Sequence, residues 1–154
     1  MTEVSFYHLE HIGLEIALPK LLEKTIGAGE RALVLGSTEA RLQSLSNAIW
    51  TYDPGSWLPH GTVKDGFTEH QPIWLSTEQV NLNRATFLFL TDGMAMESLS
   101  DFKRCIELFD GKDPAMIEIA RNHWSAYKEA GHDLVYWQQN PSGSWEKKAE
   151  YPGE

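Results

Sequence analysis

Within "DPAMIEIARNHWSAYKEAGHDLVYW", residues Ile117, Arg121, Trp124 and Lys128 fall at i, i+4, i+7 and i+11. At about 100° per residue these positions make one stripe of a helix. Beside it Met116, Ile119, Ala120, His123, Tyr127 and Ala130 make a face that must turn to the core. A planar guanidinium can hold both oxygens of a carboxylate, an ammonium adds a less directional charge, and an indole offers an apolar surface. The chemistry open to such a stripe is capture of a short acidic peptide with an aromatic end. The same spacing fits a plainer arrangement, in which Trp124 widens the core and Arg121 and Lys128 lay their stems over its rim. The pattern alone leaves both open.

Other chemistry-bearing groups argue against catalysis. His8, Glu10, His11 and Glu15 in "HLEHIGLE" are all metal-ligating types. A zinc site of the HExxH kind needs both histidines on one helical face, however, whereas His8 belongs to a strand end and His11 to a loop. "LVLGSTEAR" sits at a strand-to-helix turn, where α/β proteins often hold phosphates, but Gly36 is its only glycine and no P-loop lysine follows. An N-cap is the expected role of Ser37 or Thr38. Cys105 lies inside an apolar run and reads as core, and no G-x-S-x-G elbow occurs. Ser56 and His60 lie close in sequence without a geometry to join them. No catalytic, cofactor-binding or metal-binding set is expected. In "GSWLPHG", Trp57, Leu58 and Pro59 follow neither helical nor strand period. They either lid the sheet edge or form an apolar patch that marks a protein interface.

The composition narrows the partners. Asp and Glu number 22 against 13 Lys and Arg, a formal net charge of -9. That field repels nucleic acid, so direct binding to it is not expected. An acidic partner would need a local basic patch, because screening confines the global charge to about 8 Å at physiological salt. A lone cysteine, no apolar run of about 20 residues and no signal-like N-terminus predict a cytoplasmic chain off the membrane.

The elements that must position these residues alternate. "VSFYHL" predicts a strand, "IALPKLLEKTIGAGE" a helix stopped near Gly27 and Gly29, "RALVLG" a strand and "STEARLQSLSNAIW" a helix. "TYDPGSWLPHGTVKDGFTEHQ" is loop, and "PIWLS" and "ATFLFL" are strands. "ESLSDFKRCIELFDG" admits a short helix on Met96, Leu99 and Phe102 or a strand at "CIELFD". Asp113 and Pro114 open the last helix and Gly131 closes it. "DLVYW" is a strand, and a turn with a short strand at Trp145 leads to a fraying tail from about residue 148. One domain over 1–154 is expected, of α/β class: three layers, a mixed, mostly parallel sheet and helices on both faces.

In order, "FYHL", "LPKLLEKTIGAGERALVL", "LSNAIWTYDPGSWLPHG", "QPIWLS", "LFDG", "ARNHWSAYKEAGHDLVYWQQ" and "SWEKKA" resemble the chi subunit family of bacterial DNA polymerase III, nearly end to end. The resemblance implies a nucleotide-binding-like topology without a nucleotide site, and a non-catalytic accessory subunit of the replicative clamp loader that needs no cofactor or metal. It implies binding of the acidic C-terminal tail of single-stranded DNA-binding protein, which ends in a phenylalanine with a free carboxylate. Arg121 and Lys128 would then receive carboxylates and Trp124 the phenyl ring. Ile117 and Ser125 border the same place, where a branch of the family carries lysines. A psi subunit or another clamp-loader component would dock at Trp57, Leu58, Pro59 and His60. The rival reading is a small α/β enzyme or nucleotide-binding protein using the strand-end loops around Gly36–Arg41.

Overall fold

The computed structural model describes residues 2–52, 58–62 and 71–152. Alternation in the first run sends Val4, Phe6 and His8 to one face and Ser5, Tyr7 and Leu9 to the other, forming β1 (Glu3–Leu9). Then follow α1 (Leu14–Gly27), β2 (Ala32–Leu35), α2 (Glu39–Thr51), β3 (Ile73–Ser76), β4 (Phe87–Leu90), β5 (Arg104–Asp110), α3 (Pro114–Glu129), β6 (Asp133–Gln139) and β7 (Trp145–Tyr151). The strands make a seven-stranded sheet in the order β3-β2-β4-β5-β1-β6-β7. Every neighbouring pair is parallel except β6 with β7.

Helices cover both faces, as predicted. Leu14, Leu18 and Leu22 of α1 and Leu42, Leu45 and Ile49 of α2 pack on Val34, Ile73, Leu75, Phe89, Ile106 and Leu108. On the other face Ala120 and Tyr127 of α3, with Leu99 and Phe102 from the β4–β5 connection, pack on Val4, Phe6, Leu33, Leu35, Leu88, Leu90, Cys105 and Phe109. Central strands buried on both faces read as near-continuous apolar runs, which is why "ALVL" and "FLFL" show no alternation.

One open alternative is settled and one expectation is corrected. "CIELFD" is a strand, and no helix forms on Met96, Leu99 and Phe102, because a central position between β4 and β1 satisfies both its edges. The antiparallel member of the mixed sheet is β7. Lys148–Tyr151, expected to fray, belong to that strand, and Ala149–Tyr151 pair with Leu134–Tyr136. Cys105 is fully buried, and desolvation pushes its thiol well above the ordinary range, as fits a core residue.

Candidate functional site: the flank of α3 against β6 and β7

Local chemistry fixes α3 at both ends. The Asp113 carboxylate accepts from the Ala115 N–H at 3.0 Å, and Pro114 takes the first turn, where no N–H is needed. At the other end Gly131 adopts φ +88°, the Gly131 N–H donates to Lys128 O and the His132 N–H to Tyr127 O, a Schellman-type stop. Because α3 joins β5 to β6 across β1, its inner face lies over Phe6. Only Ala120 and Tyr127 are fully buried, while Met116, Ile119 and His123 are half-buried and Ala130, expected on the core face, is exposed at the cap.

Trp124 does not belong to the outer stripe alone. Its ring centroid lies 5.5 Å from that of Phe6 and 6.3 Å from that of Tyr136, so one side of the indole completes the core. The other side opens into a cavity of about 260 Å³ lined by Ala120, Arg121, Trp124, Ser125, Tyr136 and Ala149. The helix supplies one wall and the strand pair β6–β7 the other. Arg121 is exposed and sits close enough to pull the Tyr136 phenol down, although burial wins and holds it above its ordinary value. Arg121 also lines a depression with Pro114, Ile117, Glu118 and Asn122, and Ser125 lines another with Lys128 and Tyr151. Of the five residues implicated on α3, then, Arg121, Trp124 and Ser125 share the central cavity. Ile117 and Lys128 lie in the hollows on either side.

Several surface cations are held by the chain's own carboxylates. Arg41 is bound to Asp92 and Glu15, Lys103 to Glu30, Arg104 to Glu3, and Lys147 and Lys148 to glutamates of their own strand. Among the described residues neither Arg121 nor Lys128 makes an ion pair; the Lys128 ammonium rests 4.8 Å from the ring centroid of Tyr151. Arg121 thus lines an apolar cavity with no carboxylate partner among the described residues.

The profile of the DNA polymerase III chi subunit (HolC) family matches residues 1–135, which include β1, α1, α2 and all of α3. The chain belongs to the DNA polymerase III chi subunit family. A probable DNA polymerase III subunit chi from Rickettsia prowazekii (strain Madrid E) is 25% identical over 159 residues, spanning 97% of this chain and 93% of that protein. As a chi-family chain it is an accessory subunit of the polymerase acting in DNA replication. Tyr136 and Ala149, two of the six residues lining the cavity, lie beyond the residues that the family profile matches.

Among the other sequence candidates Glu10, His11, Glu15, Ser37 and Arg41 line one cavity of about 610 Å³, whose side chains are largely engaged with one another. His8 Nδ1 hydrogen-bonds the Tyr136 hydroxyl at 2.6 Å and its Nε2 lies 3.0 Å from Glu10 Oε1, while Glu15 reaches Arg41. At the turn holding Gly36, Thr38 is the N-cap, accepting from the Arg41 N–H at 3.1 Å. The Asp92 carboxylate there accepts from the Ser37 N–H and hydroxyl at 3.2 Å and from Arg41 Nε at 3.0 Å. The donors that a phosphate would use are engaged by the chain's own carboxylate, which weakens the nucleotide reading. Trp57 and Ser56 lie outside the described residues. Leu58 and His60 are buried, and Pro59 is half-buried. His60 Nδ1 donates to Leu58 O at 2.8 Å, which leaves Nε2 to accept from the Ser46 hydroxyl at 2.9 Å. Those two residues therefore lid the sheet edge. Sequence reasoning missed Trp50, exposed at the end of α2 with its ring 4.3 Å from His60.

It also missed a buried pair beneath the site. His123 Nδ1 donates to Glu107 Oε1 at 2.7 Å, with the Glu107 side chain 3% exposed. Burial raises the Glu107 carboxyl, and the Glu107 hydrogen bond raises His123 above its ordinary 6.5. Both folded values lie above the unfolded ones, so both groups bind protons more tightly in the native state. The contribution of His123 is complete below about pH 6.5 and is lost as pH climbs through its folded value, and Glu107 acts in the same sense at lower pH. Thermal melts should show a lower Tm at pH 9 than at pH 6, with the difference reduced in His123→Gln; identical pH dependence in the two proteins would contradict the assignment.

Proposed function

We propose that this chi-family subunit is a non-catalytic adaptor that binds the acidic C-terminal tail of single-stranded DNA-binding protein and couples it to the clamp loader. The single observation that supports tail binding most is Arg121, without a carboxylate partner among the described residues, at the mouth of an apolar cavity floored by Trp124. A chain end that carries a phenyl ring and a carboxylate on one residue fits that juxtaposition: ring into the cavity, carboxylate onto the guanidinium. Ser125 and Ile117 border the path of the preceding residues, and Lys128 offers a rim charge.

Coupling to the clamp loader, through a psi subunit or another component, uses the segment Trp57 to His60. Leu58 and His60 hold that segment to the fold, while Pro59 and the exposed Trp50 supply outward apolar surface. The segment joins the sheet at β3, where Gly61 bridges Trp74, and the α3 groove lies beside β7 at the opposite edge. At about 4.8 Å per strand the two surfaces are separated by roughly 29 Å of sheet. Two partners can therefore bind at once, as an adaptor working in the cytoplasmic replisome requires.

Co-purification with full-length single-stranded DNA-binding protein, compared with the same protein lacking its acidic tail, tests this reading. Retention of the full-length protein alone is expected. Equal retention of both, or of neither, would contradict it.

A further inference from the structure

We propose that Ala149, on the edge strand β7, sets which peptide ends the groove accepts. This rests on the tail-binding reading above and adds to it the residue that limits the size of the terminal side chain. The helix side of the cavity is fixed: Trp124 is braced against Phe6 and Tyr136, and Ala120 is buried. Tyr136 is equally committed, through its hydroxyl bond to His8 and its stacking on Phe6 at 6.5 Å. Of the other lining residues Arg121 and Ser125 stand on the exposed flank of α3, and the one left on the sheet side is Ala149, the register partner of Tyr136 across the antiparallel β6–β7 pair. A register shift follows between Tyr136 and Trp137, so that Trp137 pairs with Lys147 and Lys148 is the extra residue. Bulges re-aim side chains in this way, and here Ala149 lines the cavity while its neighbours Lys148 and Glu150 do not.

Size decides what fits. A dry cavity of about 150 Å³ accepts benzene. At about 260 Å³, and open on one side, this one has room for one phenyl ring and not for two. An alanine is the largest apolar side chain that Tyr136's partner position can carry without entering that space. Because Ala149 is exposed on an edge strand, enlarging it removes no contact that the fold depends on. Leucine adds three carbons directly over the ring's place; valine adds two and suits a strand.

The test is calorimetric titration of the full chain and of Ala149→Leu and Ala149→Val with two synthetic peptides, the acidic tail ending in phenylalanine and the same tail ending in alanine. The parent chain should prefer the phenylalanine peptide. Ala149→Leu should lose at least about tenfold on that peptide and nothing on the alanine peptide, with Ala149→Val between, and all three proteins should melt together. Unchanged affinity for the phenylalanine peptide in both variants, or equal losses on the two peptides, overturns the role of Ala149 and leaves tail binding standing. A parent chain that fails to distinguish the peptides overturns both.

Discussion

Arg121→Ala should lower affinity for the proposed acidic tail by about 2 kcal/mol, about thirtyfold, and leave the melting temperature unchanged. The guanidinium is exposed and makes no ion pair among the described residues, so its loss removes nothing the fold uses. What it removes is a charge-assisted, two-pronged contact at the edge of an apolar cavity, where partial exclusion of water strengthens it. Arg121→Lys recovers part of the affinity, since the charge returns without the planar fork. Trp124→Ala is a poorer probe. Its ring also packs on Phe6 and Tyr136, so affinity and stability fall together. If Arg121→Ala binds the tail as the parent chain does, the carboxylate is received elsewhere.

His123→Ala has the largest expected effect on stability. It leaves the Glu107 carboxylate, 3% exposed, without its partner in the layer between sheet and helix. Breaking a buried ionic pair from one side costs about 3 kcal/mol, because the remaining group must be desolvated alone or forced to take a proton. For a domain of this length that lowers Tm by about 9 °C. The double substitution Glu107→Met with His123→Leu should regain most of the loss, since apolar side chains in both places abolish the unpaired charge. A single-variant cost below about 1 kcal/mol, read by urea denaturation, would mean that the two groups are not coupled.

How far the sequence carried these readings depended on whether the information was local. The Asp113-Pro114 start and the Gly131 stop of α3 are short-range chemistry, and they were legible to the residue. "CIELFD" was not, because a short apolar run has no period to separate a buried strand from a helix, and only its place between β4 and β1 decides. The extent of β7 beyond the short strand expected at Trp145 was hidden for a different reason. "EKKAE" is the charged composition by which edge strands avoid aggregation, and it resembles a solvated tail until β6 is present to pair with it. Losing that part of β7 meant losing Ala149 and Tyr151 from the site. The α3 stripe was visible as spacing, yet its two readings were not alternatives. Trp124 closes the core with one face of its indole and floors the cavity with the other. In "SWLPHG" the burial of Leu58 and His60 was invisible, because their partners, Ser46 among them, lie on α2.

The most direct measurement of the central claim is an NMR titration of the isotope-labelled chain with the acidic tail peptide at increasing salt. Perturbed resonances should cluster on Arg121, Trp124, Ser125, Tyr136 and Ala149, along one flank of α3, and the apparent affinity should fall as salt rises. Perturbations confined to the Gly36–Arg41 turn, or an absence of any shift at millimolar peptide, would contradict it.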